Sequence, residues 1–238
     1  MQVEIWSDVV CPWCYIGKRR FEQALAQFPQ RDAVSVVWRS FELDPNAPER
    51  SSGTLTELLA KKYRTTPQQA AQMNARVSSL AAAEGLEYHL DQAQPTNTFN
   101  AHRLLHLALK QGVQGQVKER LMRAYFTDGL ALGDTETLVR AVSEAGLDAD
   151  DVRAALAGDD YSDDVRADEE RAAVFGIAGV PFVVIDERYG VSGAQPSEVF
   201  LEALQTAWGA SQPLTLVGGT DADSEAEAGA CDGDTCAI

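Results

Sequence analysis

Residues 2–8 alternate in character. Val3 and Ile5 fall on one face and Glu4 and Trp6 on the other, the period of two that marks a strand. The period then changes. Tyr15, Ile16, Phe21, Leu25 and Phe28 recur at helical spacing until Pro29, which predicts a helix over about 12–28. Val34 to Phe41 is β-branched and aromatic and reads as a second strand. Asp44-Pro45-Asn46-Ala47-Pro48 and Ser51-Ser52-Gly53 then form a loop.

From Thr54 to about Ala157 strand-like stretches vanish, and alanine- and leucine-rich helical segments follow one another. Thr66-Pro67 opens one helix, with proline in its first turn, and Gly85 closes it. Asn97 or Asn100 is a candidate cap for the next, which carries Phe99, Leu104, Leu105, Leu107 and Leu109 and breaks at Gly112 to Gly115. Further helices are expected over 116–126, 135–144 and 149–157. A helix over 160–175 then leads back to β signal. Val180-Pro181-Phe182-Val183-Val184-Ile185 reads as a buried strand, and Tyr189 to Gly193 as its hairpin partner across 186–188. Residues 196–208 form a closing helix.

The order is β–α–β, a helical block, then α–β–β–α. It predicts one four-stranded sheet with flanking helices, interrupted by an all-helical insertion. The expected division is a discontinuous sheet domain over 1–53 and 158–209, an insertion over 54–157, and an acidic, flexible tail over 210–238 with little to bury.

Composition narrows the function. Of 238 residues 45% are hydrophobic and 24% charged, within the ordinary globular range. The net charge of −16 repels phosphate backbones and anionic membrane surfaces, so neither nucleic acid nor membrane is an expected partner. No apolar run approaches the length of a bilayer span. Residues 1–8 carry no basic n-region and no long apolar h-region, which points to a cytoplasmic protein. Asp221, Asp223, Glu225, Glu227, Asp232 and Asp234 supply six of the sixteen excess negative charges. They lack the glycine that a calcium-binding EF-hand loop needs at its sixth position.

The four cysteines fall in two close pairs, Cys11/Cys14 and Cys231/Cys236. Two local pairs without an export signal suggest redox chemistry or metal binding rather than structural staples. Cys11-Pro12-Trp13-Cys14 stands between a strand and a helix. That context puts Cys11 at the helix N-cap and Pro12 at the first helical position, with first-turn amides expected to point back at the Cys11 sulfur. Those amides and the helix dipole favour the thiolate, the form that attacks disulfides. Cys14 lies one turn on, within reach of Cys11. Lys18, Arg19 and Arg20 add nearby positive charge, expected to be solvated. Inert buried cysteines, or half of a zinc site, are the alternatives.

Three segments together carry a resemblance: Ser7-Asp8-Val9-Val10-Cys11-Pro12-Trp13-Cys14-Tyr15-Ile16-Gly17, Thr98-Phe99-Asn100-Ala101-His102-Arg103, and Gly176-Ile177-Ala178-Gly179-Val180-Pro181-Phe182-Val183. The chain resembles the DsbA family over about residues 2–208, and within it the FrnE-like branch of cytoplasmic oxidoreductases. The resemblance implies a thioredoxin-like fold with a helical insertion. It implies Cys11 as nucleophile, Cys14 as second redox cysteine, and Pro181 as the cis-proline facing them, with Val180 beside the substrate. Trp13, between the thiols, is a candidate substrate contact. Protein thiols and disulfides are the implied substrates, glutathione or a thioredoxin-type reductant the implied electron partners, and no cofactor is implied. The insertion and the segment around Asn97 and Asn100 are also similar to kappa-class glutathione transferases and hydroxychromene-carboxylate isomerases. Those typically have serine where Cys11 stands, so a glutathione-dependent transferase or isomerase is the second reading.

Cys231-Asp232-Gly233-Asp234-Thr235-Cys236 lies beyond this resemblance. Its spacing can close a small loop, with Gly233 giving the turn freedom, and act as a secondary redox pair. Idle cysteines, or a zinc site joining both pairs, are the alternatives. His102 and His106 are four apart, a spacing that can hold a metal, but no glutamate follows His102 and the face is leucine-rich. A structural role is expected for both, and no metal ligand is assigned. Trp6, Trp38 and Trp208 are core candidates.

Overall fold

A computed structural model describes residues 1–211. Its order is β1 (Gln2–Ser7), α1 (Pro12–Gln27), β2 (Ser35–Ser40), α2 (Leu55–Lys62), α3 (Pro67–Ala83), α4 (Phe99–Lys110), α5 (Gln114–Phe126), α6 (Thr135–Ser143), α7 (Ala149–Ala157), α8 (Ser162–Val174), β3 (Phe182–Ile185), β4 (Tyr189–Ser192) and α9 (Ser197–Ser211). The strands form one mixed sheet in the order β2-β1-β3-β4. β1 runs parallel to β2 and antiparallel to β3, and β3 and β4 form the expected hairpin.

Register explains the two faces. Trp38, Ile5, Val183 and Val191 line up across the sheet. With Val3 and Ile185 they meet Phe21 and Ala24 of α1 and Phe200 and Leu204 of α9. Phe21 and Phe200 close this core edge to face, with centroids 5.9 Å apart. On the other face Trp6 packs with Ala172 of α8, Ile177 and Val184. The alternation in β1 therefore separates two covered faces, not a wet face from a dry one. Glu4 is buried on the α8 side and accepts ion pairs from Arg39 at 2.6 Å and Arg171 at 2.9 Å. Burying its carboxylate without those partners would cost several kcal/mol, roughly 3–5 when one partner is lost.

The helical block between β2 and α8 builds a third, larger core, and Val9, Cys11, Cys14, Tyr15 and Ile16 belong to it. The segment at the β1–α1 junction thus faces the insertion. Capping boxes at Thr54/Glu57 and Thr66/Gln69 start α2 and α3. Asn97 does serve α4, its Oδ1 accepting the Phe99 N–H at 2.8 Å, but the N-cap position itself is Thr98. The break after α4 is shorter than expected. Gly112, at φ 74°, ends the helix alone, and Gly115 already lies inside α5. One residue in the left-handed region is enough to terminate a helix.

Candidate active site

Cys11 is the N-cap of α1 and Pro12 occupies its first turn. The Cys14 N–H closes the turn onto the Cys11 carbonyl at 3.0 Å. No acidic side chain stands in the first turn, so nothing there opposes an anion at the positive end of the helix. One detail differs from expectation. No backbone amide reaches the Cys11 side chain as a cap. Proline has removed one amide hydrogen. The Cys11 thiol instead points across to the Val180 carbonyl, at 3.7 Å.

Val180 and Pro181 enter from the loop before β3, and the bond between them is cis. The Pro181 carbonyl accepts the Gly193 N–H at 2.8 Å, which fastens this loop to the end of β4. Below, the Pro181 ring rests on Gly17 of α1 beside Ala194. Both thiols are free and buried, Cys11 to 4% exposure and Cys14 to 1%. Burial, and then the neighbouring Cys11, push the Cys14 thiol well above the ordinary thiol range. Trp13 between them is exposed, and Tyr88 donates its hydroxyl to the Pro12 carbonyl at 2.8 Å.

The ionisable groups under the thiols were not legible beforehand. Lys118 of α5 is fully buried, and its Nζ donates to the Ser7 carbonyl at 3.3 Å. Burial lowers its pKa to about 8, against the opposing pull of Cys14, Asp8 and Cys11. Asp8 is also buried. Its Oδ2 accepts the Leu43 N–H at 2.8 Å and its Oδ1 lies 3.3 Å from His102 Nε2. Burial alone would raise Asp8, but His102, the Leu43 amide and Lys118 outweigh it and hold the carboxyl below its ordinary value. The sequence signals were weak: one lysine in an amphipathic helix, and one aspartate just before the cysteine motif.

The basic run after Cys14 behaves differently from expectation. Lys18 is buried, not solvated, and its Nζ contacts Glu22 and Glu119 at 2.5 Å each. Arg19 pairs with the same two carboxylates, and Arg20 with Glu84 at 2.6 Å. These charges are spent in joining α1 to α5 and to the end of α3. Tyr15 joins them, its hydroxyl donating to Glu119 at 2.6 Å. His106 Nε2 lies 3.1 Å from both Ser40 Oγ and the Asp168 carboxylate. Among the described residues no group of three or more histidine, cysteine or acidic side chains is placed to hold a metal ion. Likewise no described helix is long and apolar enough to cross a membrane. Cys231 and Cys236 lie outside the described residues.

A strand, a cysteine pair at a helix start and a cis X-Pro bond are brought together here, and comparison with known proteins shows the family. The model of the DSBA-like thioredoxin domain matches residues 2–205. The chain belongs to this family of oxidoreductases. A crystal structure of a probable DsbA oxidoreductase from Streptomyces coelicolor is 49% identical, with a TM-score of 0.86 over 92% of this chain and 94% of that one. The uncharacterized protein YwbO of Bacillus subtilis is 26% identical over 206 residues, 86% of this chain and 96% of its own length. The cytosolic disulfide reductase DsbM of Pseudomonas aeruginosa, solved with GSH, shares the fold: its TM-score is 0.61 at 16% identity, over 87% of this chain and 99% of that one. Within this DSBA-like frame, Cys11, Cys14 and Pro181 occupy one small region although Pro181 is remote from the cysteines in sequence.

Proposed function

We propose that this DSBA-like protein is a cytoplasmic thiol–disulfide oxidoreductase that exchanges disulfides with protein substrates through Cys11 and Cys14. The observation that carries the reading is the pairing of two unlike thiols. Cys11 sits at a helix start facing the Val180 carbonyl, while Cys14 lies deeper and is held protonated by burial.

The division of labour follows from that difference. The Cys11 thiolate attacks a substrate disulfide; a Cys11–substrate disulfide forms, and the other substrate sulfur leaves with the electron pair. Cys14, as thiolate, then attacks the Cys11 sulfur. The Cys11–Cys14 bond forms and the second substrate sulfur leaves as a thiolate. The substrate gains two electrons and the protein loses two. Run backwards, the same steps oxidise a dithiol substrate. Pro181 and Val180 present a backbone edge beside Cys11 for an extended substrate, and Trp13 contributes an apolar contact. Glutathione or a thioredoxin-type protein returns the protein to its starting state. We assign the chain to the FrnE-like branch on the motif around Cys11.

The test is adduct trapping. Cys14→Ser, mixed with scrambled ribonuclease or insulin, should accumulate covalent mixed disulfides, and Cys11→Ser should form none. Adducts undiminished by Cys11→Ser would refute the assignment. Glutathione conjugation or isomerisation that survives loss of Cys14 would favour the transferase-type reading.

A further inference from the structure

The site has two halves with a gap between them. One is the start of α1 with its thiols, and the other is the loop that carries Val180 and Pro181. A single segment of the helical insertion, residues 84–88, holds both.

Glu84 is the C-cap of α3. Its carboxylate accepts Arg20 Nε at 2.6 Å and Gln23 Nε2 at 3.1 Å, both from α1. Arg20 has a second bond. Its Nη1 donates to the Ala194 carbonyl at 2.7 Å. Ala194 follows Gly193, whose N–H donates to the Pro181 carbonyl at 2.8 Å. The guanidinium is a rigid fork, and here it ties the end of α3 to the residues that fasten Pro181.

Tyr88 serves the other half. It is buried, and its hydroxyl donates at 2.8 Å to the Pro12 carbonyl, between the two cysteines. Its ring packs on Phe126 and Tyr15, with centroids 4.6 and 6.1 Å away. The chain around it leans on the end of α5. The His89 N–H donates to the Phe126 carbonyl at 2.7 Å, and the Thr127 hydroxyl to the Glu87 carbonyl at 2.7 Å. The start of α5 is fixed to the sheet in turn. Gln114 Oε1 accepts the Trp38 N–H at 2.9 Å, and its Nε2 donates to the Trp38 carbonyl at 2.8 Å. The segment therefore grips both halves of the site from a supported base.

We propose that segment 84–88 sets the distance between the dithiol and the Pro181 loop, with Tyr88 and Arg20 as positioning residues for extended disulfide substrates. This rests on the oxidoreductase reading above and specifies which substrates feel the gap. A disulfide within an extended chain must present its sulfur to Cys11 while its backbone lies along Val180 and Pro181. A small disulfide needs Cys11 alone. Misplacement of reacting groups by an ångström costs about a hundredfold in rate, so the spacing matters most where both halves are engaged. Loss of either grip frees the gap, and loss of the second then adds little.

The test is a double-mutant cycle. Reduced wild type, Tyr88→Phe, Arg20→Met and the double variant are each oxidised by insulin or by a bis-nitrobenzoate disulfide. The Cys11–Cys14 bond forms, the substrate disulfide takes the two electrons, and the released thiol gives the second-order rate constant. Each single change should slow the insulin reaction by about tenfold. The double variant should also lose about tenfold rather than a hundredfold. Losses with the small disulfide should be smaller by about threefold or more. Stability losses in urea should add, because the two changes break separate bonds.

Rate losses with insulin that multiply would overturn the proposal and leave the oxidoreductase reading intact, because independent sites add in free energy. Equal non-additivity in stability would overturn it too, since the coupling would then belong to the fold and not to the gap. Failure of both disulfides to oxidise the wild-type thiols would overturn both readings. Tyr88→Phe keeps the ring cluster and loses one hydroxyl, so it decides alone should Arg20→Met fail to fold. Equal losses with insulin and with the small disulfide in that variant would overturn the proposal.

Discussion

Gly17 lies directly under Pro181: a methyl group in place of its hydrogen would stand 2.9 Å from Pro181 Cγ and 3.5 Å from the Ala194 backbone. The two parts of the site, one at the start of α1 and one before β3, are therefore spaced by a contact that has no room for a side chain.

Gly17→Ala should push the Pro181 loop away from the thiols. Glycine gives no conformational advantage here, because residue 17 is helical, so alanine would otherwise favour the helix. We expect stability to fall by about 1–3 kcal/mol, the usual cost of overpacking. Release of mixed disulfides should also slow, measured beside the urea unfolding midpoint. A gain in stability with unchanged turnover would show that the loop shifts at no cost.

Gln114→Leu keeps the bulk at the edge of the sheet but leaves the Trp38 N–H and carbonyl without their partner. β2 is an edge strand, so no further strand can supply one. A buried group left unsatisfied costs about 1–3 kcal/mol. Denaturant unfolding should register that loss, and the Trp38 amide should exchange with solvent faster than the amides of β1.

Asp8 gives a sign-defined acid response. Its folded value lies below the ordinary 3.8, so as pH falls the unfolded chain takes up the proton first. The stabilisation is complete above the unfolded value and drains away as pH drops through the folded one. Unfolding midpoints from pH 7 downwards should show a steeper acid loss for wild type than for Asp8→Asn. Parallel curves would mean that Asp8 is not held ionised.

Trp13 presents 44% of its surface to solvent, so Trp13→Ala removes little packing. Stability should change by less than about 0.5 kcal/mol. KM for a protein disulfide substrate should rise while the rate with a small aromatic disulfide stays level.

The Cys231/Cys236 pair is proposed to extend the activity of the first. The Cys231→Ser/Cys236→Ser double variant should reactivate scrambled ribonuclease more slowly while still forming Cys11 adducts at the wild-type rate. Equality with wild type in reactivation, insulin reduction and redox potential would assign those cysteines no part.

Much of the architecture was legible because it rests on local rules. The change of period after Asp8, the proline in the first turn of α1 and the β-branched run after Pro181 each constrain a few neighbouring residues. Burial on two sides was harder to read. Glu4 alternates like a solvent-facing strand residue, yet Arg39 and Arg171 arrive from elsewhere to cover it. The same holds around the thiols. Lys18 looked like a surface cation until Glu119 arrived from α5, and Lys118 looked like any lysine in an amphipathic helix. Which charges meet is fixed by chain segments about a hundred residues apart, and no local pattern records that.

The spacing of Gln114, Lys118 and Glu119 along α5 has a mechanical corollary. The residue that grips the sheet, the buried amine at the Ser7 carbonyl and the carboxylate that holds α1 ride on one stiff rod. None can slide without the others. Any substrate or partner that tilts this rod would pull on the helix that carries both sulfurs, and so reach the pair from a distance.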